Sequence, residues 1–294
     1  MQQLNAEYNK LNFIFSFVRS KYFLKGIDST LLLYKELALK KFTNKALGRF
    51  LIPLPLTKHI FDFIEKQNDE VKKEYWTNIS VNFYGLDAEY KIIGLKYLIE
   101  YKRYFSAIET CSFTEEDIPG ELIFDILIKA ATEKSEEPAN FESYHIGLLF
   151  DKIYNSNAIA HEKLIQLEWL YLPILASYGS GRDPKILHDE LTNNPSFFVD
   201  VLRYIFHSKN KEILEDEHKG LSDDLIRNRG HQAYRLLETW KTIPGMSENG
   251  TIDNLTLTSW VQSVREQAES VGRLDVADMQ IGKMLAQYPE KNEI

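Results

Sequence analysis

Asp87-Ala88-Glu89-Tyr90-Lys91-Ile92-Ile93-Gly94-Leu95-Lys96-Tyr97-Leu98-Ile99-Glu100 runs directly into Tyr101-Lys102-Arg103-Tyr104-Phe105-Ser106-Ala107-Ile108. Ile92, Ile93, Leu95, Leu98 and Ile99 share one side of a helix, and Asp87 stands where a side-chain oxygen can cap the first free amides. Tyr104, Ala107 and Ile108 begin the same pattern again with almost no interval. Two short helices with so tight a joint, and small residues where they meet, predict an antiparallel helix pair.

The same periodicity extends outward in both directions. Upstream, a helix is expected from about Gln3 to Leu24, stopped at Gly26, with Asp28-Ser29-Thr30 capping the next. Pro53 and Pro55 end that unit, and helices follow around Ile60–Ile64 and Val71–Trp76. Downstream, helices are expected over Pro119–Thr132, Phe141–Tyr154 and Ala158–Ser177, the last being the most apolar and so placed centrally. Pro184 and Pro195 each stand at a helix start, where a missing N–H costs nothing. Lys209–Lys219 reads as a charged surface loop, and Asp223–Trp240, Leu257–Val271 and Leu274–Tyr288 as closing helices. The fold class is therefore all-α: about 13–15 short helices with no alternating strand. Helix pairs recur at roughly 35–45 residues, a helical-repeat-like pattern that fits an α-solenoid or an irregular α-α superhelix. The consensus signatures of armadillo, HEAT and tetratricopeptide repeats are absent, and an irregular bundle gives the same pattern. Two segments are expected: a basic N-terminal helical segment over 1–55 and a helical-repeat-like domain over 56–294, which can also form one continuous domain.

Composition agrees with the periodicity. There are 36 Leu against 9 Val, and only 14 Gly and 9 Pro in 294 residues. Straight-chain side chains lose little rotamer freedom in a helix and β-branched ones lose more, which argues against an all-β fold. The net charge of −8 argues against general nucleic-acid binding. That charge is uneven: residues 1–50 hold nine Lys/Arg against three Asp/Glu, and the remainder carries −14. Tyr8, Phe13, Phe15, Tyr22 and Phe23 interleave the basic residues, so this face could contact nucleic acid or another domain. Their helical spacing makes a core role the simpler expectation. Cys111 is a lone cysteine, so there is neither an internal disulfide nor a cysteine zinc site. No run reaches the roughly 18 apolar residues of a membrane span, and the early apolar run lacks the flanks of a signal peptide. A cytoplasmic protein without a membrane partner is expected.

Motifs for chemistry are scarce. There is no glycine-rich phosphate loop; Gly179-Ser180-Gly181-Arg182 lacks the preceding strand and the lysine. His161-Glu162 opens like a zinc-binding H-E-x-x-H, but position 165 is Ile. His188, Asp189 and Glu190 are consecutive and fan out around a helix. Ser247–Asp253 lacks the ligands of a calcium loop. No cofactor, metal ligand or catalytic residue is assigned. Trp76, Trp169, Trp240 and Trp260 fall in apolar patterns and read as core anchors. One patch stands out: Arg227, Arg229, His231 and Arg235 on one predicted helix, with Arg227, His231 and Arg235 four residues apart on one face. It could bind an anion or a partner protein; the simpler reading is a solvated face answering the acidic Glu212–Glu217. Arg227 and His231 also fall one residue short of the R-x4–6-H spacing of HEPN-type helical ribonucleases.

A longer pattern joins Leu167-Glu168-Trp169-Leu170-Tyr171-Leu172, Leu187-His188-Asp189-Glu190-Leu191, Asn194-Pro195-Ser196-Phe197-Phe198, Leu236-Leu237-Glu238-Thr239-Trp240, Pro244-Gly245, Asn249-Gly250-Thr251-Ile252-Asp253, Ser259-Trp260-Val261, Arg265, Gly272-Arg273 and Ile281-Gly282-Lys283-Met284-Leu285-Ala286. From about Tyr75 to Tyr288 the chain resembles the C-terminal helical region of very large bacterial multidomain proteins, defence or signalling ATPases of the STAND type. The resemblance implies a scaffold or sensor region that works through contacts with a protein partner or with neighbouring domains of a larger chain. It carries over no catalytic residue, and similar sequences continue past Tyr288-Pro289, so this chain is expected to be a segment. Two other functions stay open. A nucleic-acid-binding domain would use the basic N-terminal face. An all-α ribonuclease or other hydrolase would gather His231 or His188 with an arginine and a carboxylate around a cleft.

Overall fold

The fold is given by a computed structural model that describes residues 2–80, 83, 86–114, 118–137, 143–176, 182–208, 210–247 and 249–286, with side chains from residue 12 onward. It is all-α. In chain order the helices are α1 (Gln2–Leu39), α2 (Asn44–Leu51), α3 (Lys58–Glu65), α4 (Asp69–Asn78), α5 (Ala88–Glu100), α6 (Tyr104–Ser112), α7 (Gly120–Thr132) and α8 (Ser143–Ser156). They continue with α9 (His161–Leu175), α10 (Lys185–Asn193), α11 (Pro195–Ile205), α12 (Lys211–His218), α13 (Asp223–Thr239), α14 (Asn254–Ser270) and α15 (Leu274–Ala286). Among the described residues the only extended pairing is one bridge between Met246 and Ile252.

The chain divides into two compact units. Unit one comprises Met1–Phe141 with Leu148–Ala158, and unit two Glu142–Gly147 with Ile159–Ile294, so α8 contributes to both. The 55/56 boundary read from charge falls inside unit one. There α2 packs along α4, so the basic segment and the helices after it share one core.

Unit one closes around aromatic rings. The Tyr34 ring meets Phe50 and Phe63 edge-on, with centroids 5.8 and 5.1 Å away, and its hydroxyl donates to Gln67 Oε1 at 2.9 Å. Trp76 is fully buried and stacks on Tyr97 at 4.9 Å. Thr43, Thr57 and Asn68 accept from backbone amides at the starts of α2, α3 and α4, contacts that contribute about 1 kcal/mol each. Gly26 interrupts α1 with φ 77° and ψ 176°, the break expected there. The following helix starts without the expected Asp28-Ser29-Thr30 cap, because the Thr30 hydroxyl turns back to the Gly26 carbonyl at 2.9 Å.

One helix-to-helix corner recurs. Lys41, Lys102 and Gly272 each adopt the left-handed conformation, with φ 58°, 56° and 67°. Each N–H reaches back three residues, and the next N–H reaches back five: Phe42 to Leu37, Arg103 to Leu98, Arg273 to Ala268. This is the Schellman arrangement, which satisfies carbonyls left over at a helix end. After Arg103 and Arg273 the next helix starts at once, and Ala107 and Ala277, four residues on, are both fully buried. The tight joint between α5 and α6 is therefore matched by the joint between α14 and α15.

Unit two packs α9, α10, α11, α13, α14 and α15 around Leu172, Leu187, Phe198, Leu236, Trp240 and Trp260. Trp240 and Trp260 both meet Phe198, at 5.7 and 5.0 Å. Trp169, expected as a core anchor, is only half-buried. Glu168 is fully buried and accepts from the Ile186 and Leu187 amides at the start of α10, at 3.1 and 2.8 Å. A carboxylate suits free amides at the positive end of a helix. The segment read as a charged loop is instead the helix α12, capped by Asn210. Its apolar pair Ile213 and Leu214 is too small to register as a periodic stripe.

Candidate functional site

The arginine and histidine patch sits on α13. Ser222 caps that helix, and Asp223 and Asp224 occupy its first turn, where negative charge is favourable. Ala233 and Leu236 face the core. Gly230 permits a close crossing over the end of α11, since a Cβ there would lie 3.0 Å from the Tyr204 carbonyl oxygen. The crossing leaves the outer turns of α13 facing the end of α11 and the end of α12.

An open cleft of about 490 Å³ lies along that crossing. Arg227, His231, Tyr234 and Asp223 come from α13, Tyr204 and His207 from the end of α11, and His218 from the end of α12. The His207 and His218 rings meet edge to face at 5.1 Å. Arg227 pairs with Asp224, one turn before it, and not with the acidic residues of α12. Hydrogen bonding to Glu238 raises the Tyr234 hydroxyl above the usual phenol range. A smaller recess of about 210 Å³ adjoins the cleft and shares Tyr204, His218 and Ile226. Arg229 opens on this recess, with its guanidinium 5.8 Å from the centre of the Tyr204 ring. Arg203 also lines it, holding Glu217 at 2.8 Å and Asp200 at 3.0 Å. The hydrogen bond to Glu217 is the main reason its guanidinium is held above the usual range.

Of the four patch residues, Arg227 and His231 share the larger cleft, Arg229 faces the recess, and Arg235 lines neither. His207, His218, Tyr204 and Tyr234 complete the walls and were missed. Three of them come from other elements, and no spacing along the chain links those elements.

The remaining motifs resolve as structural contacts. His161 bonds Glu190 Oε1 at 2.7 Å. Within Ser247–Asp253, of which position 248 lies outside the described residues, the Ser247 amide donates to the Thr251 carbonyl and Asp253 caps α14. Cys111 is fully buried, and burial pushes its thiol up to about 12, too high for a nucleophile at neutral pH. Gly179-Ser180-Gly181 lies outside the described residues. No group of three His, Cys, Asp or Glu side chains among the described residues is placed to share a metal ion. No helix among them is long and apolar enough to cross a membrane.

His188 hydrogen-bonds the Thr239 hydroxyl at 3.1 Å, and burial holds its imidazole down at about 4. Lys241 pushes the same way, while Asp183 and a backbone bond at Leu236 oppose it. An unfolded imidazole takes up its proton near 6.5, so between these values the unfolded state binds more protons. Stability from neutral His188 is complete above about pH 6.5 and is lost as pH falls towards 4, by roughly 3 kcal/mol at most. Thermal unfolding followed from pH 7 to 4 should show this decline, and His188→Asn should flatten it. An equal decline in the variant would assign the acid sensitivity elsewhere.

Of the N-terminal aromatics, Phe13 and Phe23 correct the expectation of a core role, and the Tyr8 side chain lies outside the described ones. Phe13 is 73% exposed and Phe23 75%, with Ile14, Phe17 and Leu24 also exposed, while Phe15 and Tyr22 are half-buried and Val18 is buried. Spacing places Phe13, Phe17 and Leu24 on one side of α1, while the exposed Arg19 and Lys25 point to other sides of the helix.

No protein-family model matches the chain, and no curated protein and no solved structure matches it.

Proposed function

We propose that the chain is a non-enzymatic helical interaction module, a scaffold or sensor region of a larger bacterial multidomain protein, acting through protein contacts. The observation that carries this reading is the uncovered apolar side of α1. Leu24 is 79% exposed, on the same side as Phe13 and Phe17. Each such side chain gains about 1.5–3 kcal/mol on full burial, so a contiguous exposed stripe marks a surface awaiting a partner. The partner such a stripe fits is a protein surface with an apolar groove. The reading is tested by placing a photo-crosslinking benzoylphenylalanine at Phe17 in the cell of origin. Adducts should be discrete proteins, and Phe13→Asp or Leu24→Asp, both on exposed side chains, should abolish them while leaving helix content unchanged. Adducts formed with lipid or nucleic acid, or no adduct, would overturn the reading.

A further inference from the structure

Three of the chain's seven histidines, His207, His218 and His231, line the α11–α13 cleft, together with one guanidinium and two tyrosine rings. They come from three elements, so their meeting is a product of the fold. An imidazole carries an N–H that can donate a hydrogen bond to a ligand. Imidazole and guanidinium donors together suit phosphate oxygens. Arg227 is held by Asp224 in a solvent-exposed pair, a weak kind of contact, so an incoming phosphate can displace that carboxylate. Tyr204 and Tyr234 are 41% and 51% exposed, and a planar base can stack on such faces. Asp223 supplies an acceptor for a sugar hydroxyl or an exocyclic amine. The cleft volume falls in the range of small-molecule sites, about 300–1,000 Å³.

The geometry points to a nucleotide-binding cleft. Arg227 with the imidazoles of His207, His218 and His231 takes the phosphate, and the walls at Tyr204 and Tyr234 take the base. This site owes nothing to a glycine-rich loop, and it is independent of the α1 surface, which lies in the other unit. A free mononucleotide and one nucleotide of an RNA strand present the same chemistry.

The test is calorimetric titration of the intact chain with adenosine monophosphate, inorganic phosphate, adenosine and a tetraribonucleotide. Adenosine monophosphate should bind saturably and at least about tenfold more tightly than phosphate or adenosine alone, the factor worth one good contact. Arg227→Ala and His231→Ala should each weaken it by about tenfold without lowering the thermal midpoint, since both side chains are exposed. Tyr234→Leu should weaken the nucleotide and leave phosphate binding unchanged. A tetraribonucleotide at least about tenfold tighter than the monomer identifies a strand as the source, and equal affinity identifies the free nucleotide. No saturable binding of adenosine monophosphate, phosphate binding as tight as the nucleotide, or affinity undiminished by Arg227→Ala and His231→Ala would each overturn the proposal.

Discussion

Arg103→Ala should lower the stability of unit one by about 3–5 kcal/mol, the cost of removing one partner from a buried ion pair. Arg103 follows the left-handed Lys102, and the corner turns its side chain inward. Nη1 donates to the Trp76 and Ile79 carbonyls at 2.9 and 2.7 Å, closing the end of α4. Nε donates to Glu137 at 2.7 Å and Nη2 to the Ser106 hydroxyl at 3.0 Å. Alanine would strand two carbonyls and leave the largely buried Glu137 carboxylate without its cation, held only by the Ser106 amide and hydroxyl. Lysine should recover less than half of the loss, because one ammonium cannot reproduce a planar fork aimed at three sites. Glu137→Gln in the alanine background should restore part of it by removing the stranded charge. Urea unfolding gives the total, and hydrogen exchange locates it: protection should fall first in α4, α6 and the 133–137 segment. A loss within the ±0.5 kcal/mol or so typical of surface substitutions would show that the latch does not operate.

Elements with their own stripe and cap were legible in the chain. The Ile92–Ile99 stripe predicts α5 and Pro195 the start of α11, because those signals are local, although Asp87, expected to cap α5, stands at its N-cap position without a side-chain capping bond. α12 escaped because long-range pairs hold it: Glu217 lies between Arg203 and Arg273, 14 and 56 residues away. The left-handed Lys41 and Lys102 were equally hidden, since glycine is the usual mark of that conformation and lysine carries no such signal. For the cleft, four-residue spacing pairs Arg227 with His231, while His207 and His218 arrive only through packing. Periodicity shows which side chains share a face and not whether that face is covered, which is why Phe13 and Phe23 read as core.

Arg273 belongs to the second occurrence of the same corner, and its removal should cost at least as much as that of Arg103. Its side chain is fully buried, where that of Arg103 keeps 10% exposure. Nε donates to the Phe206 carbonyl at 3.2 Å, Nη1 to Val271 at 2.5 Å, and Nη2 to Glu217. Arg273→Ala therefore strands two carbonyls, takes from Glu217 one of its two arginines, and leaves a void where the long side chain packed. The expected loss is about 4–5 kcal/mol, the upper part of the range for breaking a buried pair. Glu217 would then keep Arg203 alone, and α12, which has no buried residue of its own, would lose its main tie to α15. Because α12 carries His218, one wall of the cleft would loosen with it. Hydrogen exchange on Arg273→Ala should show α12 losing protection before α11 or α14. Glu217→Gln should do the same more mildly, since a neutral amide keeps part of the bonding. If α12 kept its protection in both variants, Asn210 and local contacts would hold it, and the link from the buried arginine to the cleft would fail.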